Sequence, residues 1–145
     1  MVNELAQLFE RDLERLAKEI KTYNKEADLW VLPDSINNTG GNLCLHLVGN
    51  LQHFIGHVLG KTDYIRNREA EFNDKNVLVS SLINEIEITK KAISQTLKSI
   101  STKQLEDNYP IELFGKPMTI GFFLMHLSGH LNYHLGQINY HRRLL

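Results

Sequence analysis

The sequence has one cysteine, three prolines and no long uninterrupted run of apolar residues. The single cysteine, Cys44, excludes a disulfide within the chain and fits a reducing compartment. No stretch approaches the roughly 18 consecutive apolar residues that a membrane span needs. The opening residues, Met1 to Glu4, lack the basic and apolar blocks of a signal peptide. We therefore expect a cytoplasmic protein that does not bind a membrane.

An excess of charge of one sign is also lacking. The chain has 16 Lys and Arg against 17 Asp and Glu, with a net charge of −1. Such a balance gives no global field that would attract nucleic acid, so we expect a small-molecule substrate and no nucleic acid partner. The length of 145 residues favours one domain, residues 1–145, that can bury a sizeable core.

What the chain does contain is apolar residues at helical spacing. A first helix is predicted over about residues 3–24 and a second from near residue 41 to residue 60, with Asn38 or Thr39 as its N-cap. Between them, residues 26–39 are predicted as a loop whose apolar patch, residues 30–32, folds over one end of the bundle.

Two more helices follow, each after a long connection. The third is predicted over an apolar set from Leu82 to Ile100, with Asp74, Asn76 and Ser80 as competing start signals. The fourth is predicted from a cap at Thr119 to about residue 143.

The connection between the second and third helices is charged and far longer than the about 2 to 8 residues that join antiparallel neighbours. It therefore predicts a crossover along the bundle, with the second helix parallel to the third. The sequence as a whole predicts an all-α four-helix bundle.

Histidines are concentrated on the second and fourth helices. The members on the second helix are His46, His53 and His57, and those on the fourth are His126, His130, His134 and His141. A spacing of four residues offsets two side chains by only about 40°, so one face of a helix can present two imidazoles to a metal ion. A third ligand would have to come from the other helix.

Not every candidate ligand fits this geometry equally well. Cys44 points about 200° away from His46 and is a poor ligand candidate. His57 and His141 are expected to be surface residues near helix ends. For each of the other histidines, the alternative to binding a metal is an ordinary hydrogen-bonded place in the core. A buried imidazole needs partners for its nitrogens, because an unpaired one costs about 1 to 3 kcal/mol.

Three segments carry a resemblance to a known family. Residues 130–138, HLNYHLGQI, resemble the HxxxHxGQ signature on the last helix of the DinB-like (DinB/YfiT) superfamily of metal-binding four-helix bundles. Residues 46–51, HLVGNL, and 66–72, RNREAEF, resemble elements of its DUF1572-like branch. The resemblance covers most of the chain from the second helix onward, and it implies an up-down-down-up DinB-like bundle.

The resemblance also implies a ligand set. The three metal ligands of the family fall on His46, His130 and His134, with His53 and His126 as the nearest rivals. Three histidines leave further coordination positions for water or substrate, as in catalytic sites. The ion would be divalent: zinc and nickel are the first candidates, and cobalt, iron and copper also suit imidazole ligands.

Other residues near the implied site have open roles. Asn50 and Gln137 would lie beside the ligands or line the pocket. Arg66 and Arg68 could hold a carboxylate or phosphate of a ligand, although pairing with Asp63, Glu69 or Glu71 is the favoured alternative. Both Gly49 and Gly136 can be interpreted as permitting close approach or as ordinary helix packing.

Two functions remain open at this point. The first is a metal-dependent enzyme that activates a low-molecular-weight thiol for S-transferase or detoxification chemistry, or activates water for hydrolysis. The second is a non-catalytic metal-binding stress or interaction protein. A homodimer packed through exposed helix faces is expected in the second case.

Overall fold

The computed structural model describes residues 1–145 as an all-α protein. The four long helices are α1 (Val2–Thr22), α2 (Gly40–Leu51, continued by the π-helix Gln52–Leu59), α4 (Val79–Lys98) and α5 (Ile120–Leu144). A short helix, α3 (Arg68–Asn73), and two 3₁₀ turns, Glu26–Trp30 and Lys103–Glu106, lie in the connections. The predicted all-α helical bundle is confirmed. No helix combines the length and the apolar character that a membrane crossing requires.

Apolar residues three and four positions apart on each long helix form one common core. On α1 the core positions are Leu5, Phe9, Leu13, Leu16 and Ile20, each no more than 3 % exposed. Corresponding residues of α2, α4 and α5, together with a few from the connections, complete a cluster of 29 buried residues. Burial of each such side chain stabilises the fold by about 1.5 to 3 kcal/mol, which is the main force holding the helices together.

Side-chain contacts give the directions of the helices. Asn132 of α5 donates a hydrogen bond to Asp12 of α1 (2.7 Å), and Asn139 donates one to Glu19 (2.8 Å). Since both contacts advance by seven residues on each helix, α1 and α5 are parallel.

The crossover also follows from contacts. Gln52 donates to Glu85 near the middle of α4, while Gly60 lies against Thr96 near its end. Therefore α2 runs parallel to α4, and residues 60–78 return along the bundle as predicted from their length. This segment also contains the short helix α3, which the sequence did not predict.

The cap at Thr119 is confirmed, and of the two candidates for the cap of α2 the structure has Thr39, but the start of α4 was not predicted. Thr39 accepts a hydrogen bond from the backbone N–H of Asn42, and Thr119 accepts one from that of Phe122 (both 3.1 Å). Helix α4 begins after Leu78, with no side-chain cap of its own. The N–H of Val79 is instead bound by the carboxylate of Glu26, far away in sequence, which local start signals could not reveal.

Several local expectations require correction. Trp30 packs on the core, but Val31 and Leu32 are 40 % and 56 % exposed and do not cover the end of the bundle. On α4, Ile88 is 45 % exposed, so it is not a core residue. His141 is buried at 4 % exposure rather than lying on the surface.

Candidate metal centre

Three histidine rings converge where α2 faces α5. Nε2 of His130 lies 3.2 Å from Nε2 of His46 and 3.1 Å from Nε2 of His134. The ligand atoms of all three rings lie within 4.8 Å of one another, and they form the one group of at least three His, Cys, Asp or Glu side chains arranged to hold a metal ion. The structure thus brings together the three residues that the resemblance implied.

The orientation of His46 is fixed from the crossover. Its Nδ1 donates to Oε1 of Glu71 (3.0 Å), and Arg66 donates to both oxygens of the same carboxylate (2.9 Å each). With Nδ1 carrying the proton, Nε2 of His46 presents a lone pair to the centre. A carboxylate behind a histidine is the usual support of a metal-binding imidazole.

Gly49 makes room for this carboxylate. A Cβ atom at Gly49 would lie 2.1 Å from Oε2 and 2.7 Å from Cδ of Glu71, which is impossible without displacement of the carboxylate. Close approach is therefore the role of Gly49. A Cβ atom at Gly136 would meet nothing within 4 Å, so close approach does not explain that glycine.

The orientation of His134 is fixed locally on α5. Its Nδ1 donates to Oε1 of Gln137 (2.7 Å), and the amide nitrogen of Gln137 donates to the hydroxyl of Tyr133 (3.2 Å). Because the Gln137 oxygen is the acceptor, Nε2 of His134 also presents a lone pair to the centre.

His130 completes the set and supplies the test of whether a cation fits. Its Nδ1 is buried and has no hydrogen-bond partner. If the proton is on Nδ1, the Nε2 lone pair of His130 faces those of His46 and His134 at 3.2 Å and 3.1 Å; if it is on Nε2, it can satisfy only one neighbouring ring well. A divalent cation bound by all three Nε2 atoms resolves this conflict, and the spacing matches metal–nitrogen distances of about 2.1 Å. The residues therefore fit a metal ion.

The electrostatics keep the ligands in the forms that bind a cation. Burial, assisted by the neighbouring histidines His134 and His46, lowers the pKa of His130 to about 4. Burial also lowers the pKa of His134, against the opposing hydrogen bond with Gln137. Burial disfavours the ionised form of Glu71, but the hydrogen bonds from Arg66 and His46 outweigh it and keep its pKa below the usual value. The site thus combines neutral imidazoles at His130 and His134 with an ionised carboxylate at Glu71 near pH 7.

The rival histidines lie outside the cluster. His53 falls in the π-helical part of α2, where Gly60 N–H binds the carbonyl of Ile55 five residues earlier, and its ring stacks on His57 at 6.0 Å. His126 is exposed, and its ring packs against Phe123 and Phe114.

The remaining candidates have different environments. Asn50 is buried, and its Oδ1 accepts no hydrogen bond from the protein. Arg66 is held by its ion pair with Glu71, which is the favoured alternative of the sequence analysis. Arg68 is exposed and lies over the ring of Phe72 at 5.3 Å, so the predicted ion pair is not seen there. Cys44 is fully buried, and burial raises the pKa of its thiol to about 12.

Two interactions were not foreseen. Glu71 was considered only as a partner for an arginine, although it also binds a ligand histidine; its place in the RNREAEF segment was the available signal. His141 lies between the Tyr23 hydroxyl, 2.7 Å from Nδ1, and the Val31 carbonyl, 2.8 Å from Nε2. It therefore serves to fasten the end of α5 to the first loop.

Comparison with known proteins identifies the family. The family model described as DinB superfamily matches residues 7–138 of this chain. No curated protein matches the chain. Since the match spans nearly the whole length, the chain belongs to the DinB superfamily.

Proposed function

We propose that this protein is a metal-dependent thiol transferase of the DUF1572-like branch, with His46, His130 and His134 as the metal ligands. The observation that carries the proposal is the convergence of three Nε2 atoms, two of them with the proton held on Nδ1 by a neighbouring side chain. Three protein ligands leave at least one position open, which is typical of catalytic rather than structural sites. Zinc and nickel are the first candidates for the ion.

A divalent cation at this place would lower the pKa of a thiol bound beside it, which supplies a nucleophile near neutral pH. The transfer then requires that the sulfur form a bond to an electrophilic carbon while the leaving group departs with its electron pair. The thiol proton passes to solvent, so charge and atoms balance. A low-molecular-weight thiol and an organic electrophile are thus the substrates of the proposal.

The contributions of the chain follow from its contacts. Glu71 accepts a hydrogen bond from the Nδ1–H group of His46 and so keeps Nε2 free to bind. Arg66 neutralises and orients Glu71, and therefore does not offer its guanidinium to a substrate. Gln137 of α5 accepts a hydrogen bond from the Nδ1–H group of His134 and so keeps Nε2 of that ring free to bind as well. Burial limits the access of water to the ring of His130 and lowers its pKa.

Metal analysis and turnover test the proposal together. The zinc-loaded and nickel-loaded proteins are incubated with a panel of small thiols and a chromogenic aromatic electrophile. We expect turnover that is lost in His134→Ala and retained in His126→Ala, which removes an exposed histidine of the same helix. Metal binding without turnover or thiol affinity would instead favour a non-catalytic metal-binding module, and hydrolysis without thiol would favour activation of water.

The proposal also covers the location of the protein in the cell and its oligomeric state. The single buried cysteine supports a cytoplasmic location, because the fold needs no oxidising compartment. Exposed apolar side chains on α5, including Phe122 and Met125, support a homodimer. Light scattering at micromolar concentration would distinguish a dimer from a monomer.

A further inference from the structure

A cavity of about 500 Å³ lies next to the metal centre, between the loop of residues 35–38 and the C-terminal half of α5. His134 and Gln137 form part of its wall, so the cavity meets the triad at one ligand. Its volume lies within the range of about 300 to 1,000 Å³ that small-molecule sites occupy.

The wall of this cavity is mixed, with apolar and aromatic side chains next to neutral polar ones. Its apolar members are Ile36, Leu43, Tyr133, Tyr140 and Leu144. Tyr133 and Tyr140 are each 65 % exposed and lie seven residues apart on α5, so both rings face the same side of the helix. Exposed aromatic rings beside a cavity offer stacking surfaces for a planar group.

No Asp, Glu, Lys or Arg lines the cavity. Its free polar groups are neutral: the amides of Asn37 and Asn38 can pair with a hydroxyl or carbonyl group, whereas the amide of Gln137 is engaged by His134 and Tyr133. His141 also borders it, but both ring nitrogens are engaged by Tyr23 and Val31. A charged ligand would lose hydration here without gaining an ion pair, which disfavours its binding.

We propose that this cavity binds an uncharged aromatic group of the substrate, next to the metal centre. The inference rests on the proposed function, since it names the class of molecule that the transfer would use. It also explains why neither arginine of the crossover is needed for substrate charge: Arg66 is occupied by Glu71, and Arg68 does not line the cavity.

The test uses two probes that lack a thiol, 4-phenylbutan-1-ol and 4-phenylbutanoate, with the chelated, metal-free protein. Binding is followed by NMR shifts of the backbone amides and by calorimetry. We expect saturable binding of the alcohol, shifts confined to residues 35–38, Leu43 and residues 133–144, and binding of the carboxylate at least about tenfold weaker. The zinc-loaded protein should bind the alcohol equally well.

Two loop isoleucines provide a matched pair of variants. Ile36 lines the cavity and is 41 % exposed, whereas Ile111 lies in another loop and is 37 % exposed. Ile36→Asp should weaken binding of the alcohol by about tenfold or more, and Ile111→Asp should leave it unchanged.

Absence of saturable binding, equal binding to Ile36→Asp, or a preference for the carboxylate would each overturn the proposal. Because neither thiol nor metal takes part in this binding assay, such a failure would leave the metal and turnover experiments unaffected. Conversely, if the protein binds the alcohol but shows no turnover with any thiol, the proposed transferase activity is rejected and the proposed aromatic site is retained.

Discussion

The two helices of the metal centre hold their histidines in different ways. On the α2 side, the support comes from the crossover, and all of its side chains are largely buried: His46, Glu71 and Arg66 are 9 %, 6 % and 13 % exposed. On the α5 side, His134 is supported by Gln137, an exposed residue only three positions further along the same helix.

His46 is therefore a rigidly held ligand, whereas His134 is an accessible one. The buried ion pair of Arg66 and Glu71, which also binds His46 of α2, has no substitute in solvent, so its loss must disturb both the fold and the site. A local hydrogen bond at the surface can be replaced by water with little loss. We therefore expect the α2 side to fix the position of the ion, and the α5 side, which borders the cavity, to face substrate.

The largest effect is expected for Glu71→Ala. This change removes the acceptor of His46 and leaves Arg66 without a partner, so we expect a loss of about 3 to 5 kcal/mol in the free energy of unfolding and about 10- to 100-fold in zinc affinity. Urea denaturation and zinc competition with a chelator measure the two. Arg68→Ala is the control and should change neither quantity, because Arg68 does not contact Glu71. If Arg68→Ala had the same effects as Glu71→Ala, the support of His46 by Glu71 would not be specific.

A pH dependence of stability is expected from His130, whose ring lies between those of His46 and His134. The pKa of His130 is lowered to about 4 in the folded protein, against about 6.5 when unfolded. Between these values the unfolded chain binds a proton that the folded chain does not, so the metal-free protein should lose stability as pH falls from about 6.5 to about 4, by about 3 kcal/mol at most. Urea denaturation across this range should show the loss, and a smaller one in His130→Gln. A flat profile would contradict the burial of a neutral ring.

A pair of glycines provides the next comparison. In Gly49→Ala the new methyl group meets Glu71, so we expect zinc affinity to fall by about tenfold. In Gly136→Ala the methyl group meets nothing, and the helix should gain about 0.5 to 1 kcal/mol in stability at unchanged affinity. Chelator competition and thermal unfolding of both variants measure this contrast. Equal affinities in the two variants would show that the position of Glu71 does not matter to the ion.

The smallest effect is expected for Gln137→Ala. Water can replace its exposed amide as the acceptor of His134, so the loss of zinc affinity should stay below about tenfold. Tyr133→Phe removes only the next hydroxyl and should leave affinity unchanged. A loss in Gln137→Ala as large as that in Glu71→Ala would mean that both sides are equally rigid.

Much of the fold was predictable from local signals. Thr39 and Thr119 were identified as caps because each can accept a hydrogen bond from the first turn, and the length of residues 61–78 predicted the crossover. The start of α4 was not predictable, because it depends on Glu26, which is close only after folding. The change from α-helical to π-helical hydrogen bonding at Gln52–Leu59 was not predicted.

The candidate site was predictable in its ligands but not in their support. Histidine spacing and the motif resemblance identified His46, His130 and His134, which the fold then brings together. Spacing could not reveal that Glu71 contacts His46 across the crossover, or that Gly49 makes room for it. Such interactions between distant segments follow from packing rather than from periodicity.

The most direct test of the account is a zinc titration of the untagged protein against a chromophoric chelator. We predict one tightly bound ion per chain in the wild type. Binding should be lost when His46 and His130 are both changed to Ala, and it should be retained when His53 and His126 are changed instead. Equal zinc binding in the two double variants would contradict the central claim that one ion is held between α2 and α5.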